Sequence, residues 1–569
     1  EQFYKENLDL KAILNARKAK KEVTSGLEPY TGEFGPAQKK HLLNRTMVGM
    51  AKRHMDDLEG LSIDEAIDLI FTPEELGEPV NNYFYEKTNE DWIETYGRND
   101  VAPGQPFVNN ASTRRTENSQ EEENGDWARR QSIKSWIFKN IYSQNTSIHW
   151  RIFIFLHNLI PTDGGQGSGN KGLYGYLKLL FDSCYDDYRN TIFNVTTNPA
   201  MLIYLNLAQS RKENPDENFA REVQELFTVG KTPFSKYTER DVREIARALV
   251  GWGIDYESIF EEGPIKSKFN PWNHDIGDKY FSEFYKNTII KGKDGVGGAN
   301  ELKEVINMIF NTEESAIYIS RRLYQFFVYH DITLVIEENV IKPMAKVMRE
   351  NDFSLIEPLK LLLKSEHFFD VLSRGCVIKS PVDLVIGFCR ESEIVFQPDT
   401  DYVTNYGFYN YMISWLNNMQ QNIGDPPDVS GWKAYYQEPQ FNEIWINSDT
   451  LPKRNQFSDT MLVSGYTFNS KKIQLDPLAY ARTFSNPSDP NAFIAELTER
   501  LLGLDISAAS KAQLKKDILL NGQSLDIYWT QAWDLYISTP TNTANTTSVR
   551  TKIRDLVKYL MNLAEYQLA

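Results

Sequence analysis

The chain has 569 residues, 41% hydrophobic and 13% aromatic, with a formal net charge of −16 at pH 7. That allows one very large body or two to four domains of roughly 150 residues around a sizeable core. It argues against a general nucleic-acid binder, which needs a concentrated basic face, and no run reaches the ~18 uninterrupted apolar residues of a transmembrane helix.

Read in chain order, apolar residues recur at three- and four-residue spacing over 36–55, 62–71, 126–158, 172–194, 216–229, 238–252, 301–310, 313–328, 340–351, 355–364, 382–391 and 491–502. The tail, 548–568, closes with one more helix. This predicts an all-α fold with long loops and at most a few short strands. Three segments interrupt the pattern. Residues 99–124, rich in Asn, Pro and charge, read as a mobile insertion or exposed loop. Residues 255–299 read as a long loop with one hairpin at most, and 396–407 as a shorter irregular stretch. Three cysteines are too few and too scattered for a disulfide framework or a metal knuckle, and leave one pairing open, Cys376 with Cys389. Glu1 stands where an initiator would, as removal of a signal peptide or lipidated leader would leave it, which points towards export.

Several motifs carry chemistry. FLHNLIPTDGGQGSGNKG at 155–172 has the glycine spacing of a phosphate cradle in Gly164 and Gly169. Asn170 stands where the phosphate-reaching lysine belongs, however, and Lys171 where the magnesium-holding hydroxyl belongs, so the segment reads as a flexible loop and no nucleotide is expected. PDENFAREVQELFTVG at 215–230 is an amphipathic helix, with Phe219, Ala220, Val223, Leu226 and Phe227 on one side and Asn218, Glu222 and Glu225 on the other. Glu217, Arg221 and Glu225 are also i,i+4 neighbours, a spacing worth roughly 0.2–0.5 kcal/mol per pair on a solvated face, so a structural and a chemical reading both remain open.

Seven histidines are scarce, and none forms an HExxH pair. His157 closes an apolar run, where a core role competes with a ligand role. His274-Asp275 lies in a loop, where the carboxylate can orient the imidazole or join it as an oxygen ligand. His330-Asp331 repeats the dipeptide as a helix-terminal cap. Trp432, Tyr435, Tyr436 and Trp445 follow the turn sequence Gly424-Asp-Pro-Pro-Asp428 as candidate surface aromatics.

Taken together, His41-Leu-Leu-Asn-Arg45, Phe155-Leu-His-Asn158, Thr197-Asn-Pro-Ala-Met-Leu-Ile-Tyr-Leu205, Glu217-Asn-Phe-Ala-Arg-Glu222, Glu225-Leu-Phe-Thr-Val-Gly230, Tyr237-Thr-Glu-Arg-Asp-Val242, Ala246-Arg-Ala-Leu-Val-Gly-Trp252, His274-Asp275 and Pro427-Asp-Val-Ser-Gly-Trp432 resemble the ordered motifs of the bacterial family catalogued as domain of unknown function 1800. The family pattern usually reads Trp-His-Asn-His-Phe where this chain has Leu156-His157-Asn158-Leu159-Ile160, so a second histidine is missing. The resemblance implies an N-terminal extension over 1–35, a helical domain over 36–460 with insertions at 99–124 and 255–299, and a C-terminal helical part over 461–569. It also implies an exported protein of the periplasm or cell surface, often encoded beside a sulfatase-like partner, and the Asn- and Tyr-rich composition looks like the Bacteroidetes branch. Because Glu217-Asn-Phe-Ala-Arg-Glu222 matches a family motif, Asn218, Arg221, Glu222 and Glu225 are expected to be buried and interacting.

Two functions follow as expectations. The first is a binding or assembly subunit of a cell-surface or outer-membrane complex that docks through exposed aromatics and the two insertions. The second is an enzyme acting on an envelope or extracellular polymer. Its catalytic set would be Arg221, Glu222, Glu225, His274 and Asp275, and a divalent metal would be held by His157, Glu222, Glu225 and His274. The incomplete histidine set and the lack of a recognised nucleophile favour the first. A chemical site requires His157 and His274 within about 8 Å of the carboxylates, whereas a structural helix would meet arginines such as Arg243 or Arg247, or solvent.

Overall fold

The computed structural model describes residues 23–81, 101–110 and 119–569, apart from 166, 232 and 234, with the backbone alone for 119–125. Helices hold 59% of the described residues. The strands among the described residues form three antiparallel pairs of two to four residues each. The fold is mainly α, as the periodicity requires.

Local chemistry sets many helix starts. Ser62 with Glu65, Thr238 with Asp241 and Ser380 with Asp383 form capping boxes, which satisfy N–H groups that have no partner within the helix. Asn198 accepts from the Ala200 N–H, and Pro199 occupies the first helical position.

Periodicity overruns several helix ends. The predicted 126–158 helix is two, Ser119–Ser143 and His149–Leu159. Between them the Ser147 hydroxyl donates to Thr72 O, and the Gln144 side chain accepts from Val48 N and Arg390, polar bonds that compete with helix continuation. Residues 36–55 likewise divide into Pro36–Thr46 and Lys52–Asp57. The stretch 172–194 breaks at Ser183–Tyr185, beyond which Asp187 caps Tyr188–Thr197.

Three irregular segments are corrected. Residues 402–407 open a helix, Tyr402–Asn418, capped by Asp401; its dense aromatics hid the period. Residues 255–299 contribute to two hairpins, Trp252–Asp255 with Lys266–Phe269 and Lys279–Tyr280 with Ile289–Ile290. Of the insertion at 99–124, residues 99, 100 and 111–118 lie outside the described residues, but Phe107 and Val108 are core and 119–124 belong to the long Ser119–Ser143 helix. Residues 1–22 of the N-terminal extension also lie outside; beyond them, Tyr30 and Thr31 bond to Lys364 O and Glu366.

One cluster of buried apolar side chains runs from Leu42 to Tyr566. Within it the Ser119–Ser143 helix packs on Tyr402–Asn418 and Gly169–Asp182, and Thr543–Met561 packs on Thr450–Val463. Every residue of His149–Leu159 is buried, so this helix is enclosed on all sides, and its C-terminal end delivers His157 and Asn158 to the segment 424–432. All three cysteines are free: Cys376 lies 3.1 Å from the Arg45 guanidinium, and Cys389 lies 3.9 Å from the Met412 sulfur, so the Cys376–Cys389 pairing is not formed. Among the described residues no helix is long and apolar enough to cross a membrane.

Candidate functional site at the junction of two motif loops

His157 and Asn158 both reach the segment 424–432. His157 Nε2 accepts from Gly424 N at 3.0 Å, and Asn158 Oδ1 accepts from Trp432 N at 2.9 Å. Glycines let the chains touch: a Cβ on Gly431 (φ +79°) would lie 2.3 Å from Asn158 O, and one on Gly164 (φ +67°) would lie 2.5 Å from Asp425 Oδ1. The Trp432 indole stands edge-on to the His157 ring, centroids 5.4 Å apart. Trp432 and Trp445 are buried in a satellite cluster, and Tyr435 and Tyr436 are half-buried, so these rings are not the surface platform expected of them.

This junction gathers acids. Asp163, Asp425 and Asp428 come from the two loops and Glu222 from the Asn218–Glu222 helix, all half-buried around the half-buried Tyr204. Burial first, and then the charges of Asp163, Asp428, Glu222 and Asp425, push the Tyr204 phenol up to about 12, so it remains a hydrogen-bond donor. Asp163 accepts from the N–H groups of Gly165 and Gly167, Asp428 from Ser430 N, and Asp425 lies 3.4 Å from the Lys134 ammonium. Glu222 has no hydrogen-bond or ion-pair partner among the described residues. Burial, and then the charge of Glu225, raise its carboxyl above the usual range.

The acidic helix is not regular. Asn218–Glu222 passes directly into a π-helical turn, Val223–Thr228, whose i→i+5 bonding turns each residue by less than the ~100° of an α-helix. Glu222 and Glu225 stay close enough for the charge of one to act on the other, but their partners differ. Glu225 pairs with Lys231 at 2.9 Å, while Glu222 lies within the electrostatic reach of Tyr204. Arg221 is taken by Glu239 at 2.9 and 2.7 Å and by Glu217 at 3.4 Å. Asn218 is exposed, contrary to the burial expected of it.

Of the expected catalytic and metal sets, Arg221, Glu222 and Glu225 lie within electrostatic reach of one another, whereas the histidines and Asp275 are bonded elsewhere. His157 serves Gly424 rather than Glu222 or Glu225. His274 is buried, its Nδ1 lying 2.6 Å from Val250 O and its Nε2 3.1 Å from Glu301 Oε1. Glu301 also meets the Lys279 ammonium at 2.6 Å, with both side chains fully buried. Asp275 forms a two-point pair with Arg247 at 2.8 and 3.0 Å, so it does not orient the neighbouring imidazole, and Arg247 is not the partner of Glu222 or Glu225. Buried charges must be paired, and here each is paired to a residue distant in sequence that no local pattern reveals. Among the described residues no group of three or more His, Cys, Asp or Glu is placed to hold a metal ion.

The other histidines serve the backbone or neighbouring side chains. His41 contacts Phe368 O, His54 bridges Ala51 and Arg390, His149 contacts Phe181 O, His330 contacts Asn442, and His367 contacts Ser25 O and Tyr324. Burial lowers all five and His157 as well, His54 and His157 to about 3.

Sequence reasoning missed Asp163, Asp425, Asp428 and Tyr204. Their signal was present: aspartates in the turns PTDGG and GDPPD, inside segments already singled out for other reasons. A family model described as "Protein of unknown function (DUF1800)" matches residues 41–568. No curated protein and no solved structure matches the chain. With nearly its whole length matched, the protein belongs to the DUF1800 family.

Proposed function

We propose that the protein is a binding or assembly subunit of an exported cell-envelope complex, with the acidic junction around Tyr204 as its recognition face. The observation that carries this reading is the convergence of four half-buried carboxylates on one tyrosine with Lys134 as the only cation in ion-pair contact with any of them among the described residues. The other groups proposed for catalysis are tied to internal partners. Such a face suits a basic segment of a partner protein, which would supply the missing positive charge and accept a bond from the Tyr204 hydroxyl only through a neighbouring carbonyl. A sulfatase-like protein or an outer-membrane complex is the partner that the family resemblance suggests, in the periplasm or at the cell surface.

The test is native purification from fractionated cells followed by mass spectrometry of what travels with the chain. An envelope protein should co-purify, its retention should weaken with salt, and the pair Asp425→Asn and Asp428→Asn should release it. Recovery solely from cytosol with no salt-sensitive partner defeats the proposal. A second reading, an enzyme acting on an envelope polymer with Glu222 as general acid, is supported by the raised Glu222 carboxyl. A folded Glu222→Gln protein that keeps its partner but loses polymer turnover would favour it.

A further inference from the structure

On the far side of the glycine-rich loop lies a cavity of about 430 Å³, within the range of small-molecule sites. Its apolar wall is built by Leu202, Ile203, Ile254, Ile259 and Ile265, contributed by the Pro199–Tyr204 helix and the first hairpin region. Its polar end is Asn170, in the first turn of the 14-residue helix Gly169–Asp182. Asn170 is 7% exposed. Its backbone N–H and its Nδ2 both donate to Asp126 Oδ1, at 2.6 and 2.7 Å. Those two bonds fix which way the amide points, because only the NH₂ end can donate to a carboxylate. Oδ1 is thereby left as a buried acceptor without a donor among the described residues, in a residue that lines the cavity. A buried acceptor in that state is costly until a donor reaches it. The hydroxyl of Ser168, another lining residue, is buried and likewise without a partner among the described residues.

The charges at this end limit what can enter. The second Asp126 oxygen is held by Arg130 at 2.9 Å, and the Lys171 ammonium is held by the carbonyls of Glu261 and Ile259 at 2.9 and 3.5 Å. A cationic ligand would be desolvated beside Lys171 and Arg130. An anionic one would face Asp126 and the unmet Asn170 acceptor, and would draw the Lys171 ammonium away from its two carbonyls, leaving both unpaired. We infer that this cavity binds a neutral amphipathic small molecule, its apolar body against the isoleucine wall and one uncharged N–H or O–H group donating to Asn170 Oδ1. This site adjoins the acidic junction through Asp163, which accepts from Gly167 N, but it does not depend on the reading given to that junction.

The test uses the full chain and N-phenyl-1-naphthylamine, a neutral fluorescent probe with an apolar body and a single N–H donor. It should bind saturably with a rise in emission. Ala208→Phe and Ile265→Trp, which fill the cavity from two different elements, should each weaken binding at least tenfold while thermal melting shows a folded protein. On the unmodified chain, hexanamide and hexanol should displace the probe, and hexanoate and hexylammonium should do so at least tenfold less well. Absence of saturable binding overturns the inference, as does unchanged affinity in either folded variant. Equal displacement by hexanoate or hexylammonium overturns it too, and that comparison stands even if neither variant folds.

Discussion

Around Glu301 a lysine and a histidine meet one carboxylate with no solvent between them, whereas around Tyr204 four carboxylates lie half-open to water with far less in return. Both places looked alike as charge in the sequence. The difference is how completely each charge is answered within the chain. The Glu301 cluster is closed: Lys293 N adds a further bond at 2.7 Å, and the cluster pins the second hairpin to the Asn300–Phe310 helix. The Tyr204 cluster is left incomplete, which is the pattern expected where a partner or substrate supplies the remainder.

The strongest way to break this comparison is Glu301→Ala. It strands a buried lysine, so unfolding by denaturant should show a loss of about 3–5 kcal/mol; a loss under about 1 kcal/mol would remove the contrast. Next is Gly431→Ala. Its positive φ and its approach to Asn158 O predict a loss of about 1–3 kcal/mol in thermal melts, together with loosening of the junction and weaker partner retention.

Asp275→Asn should cost less, about 1–2 kcal/mol. Burial opposes the Asp275 charge, but Arg247 and the Gly277 N–H outweigh it and hold the carboxyl below its usual value. That stability is therefore present above the ordinary carboxyl pKa and is lost as pH falls through the lowered one; the variant should lack this acid-side dependence. Smallest is Glu222→Gln. Its carboxyl is raised, so its contribution is full below the ordinary value and disappears as pH rises through the folded one. At pH 7 the variant should match or slightly exceed the parent, within about 0.5 kcal/mol, while partner retention or turnover falls.

The helical class was legible because apolar spacing reports burial directly, and capping pairs such as Thr238 with Asp241 mark helix starts without tertiary information. Gln144 and Ser147, which break the 126–158 prediction, act through Arg390 and Thr72, and no local window contains those partners. The candidate site was half legible. His157, Glu222 and the 424–432 turn were all singled out, but joining them to metal chemistry assumed that motif residues meet one another. The π turn after Glu222 and the capture of His274 by Glu301 decide otherwise, and both depend on packing at long sequence separation.

Histidine is the side chain through which an ordinary protein changes charge between about pH 5 and 8. Burial holds six of the seven below their ordinary value, five of them fully enclosed and His330 half-buried. Those six therefore take up positive charge at lower pH than free imidazoles, and mild acidification adds less of it here than six ordinary histidines would. Acid-sensitivity of a complex built on the acidic junction falls instead to a raised carboxyl such as Glu222, or to the other component.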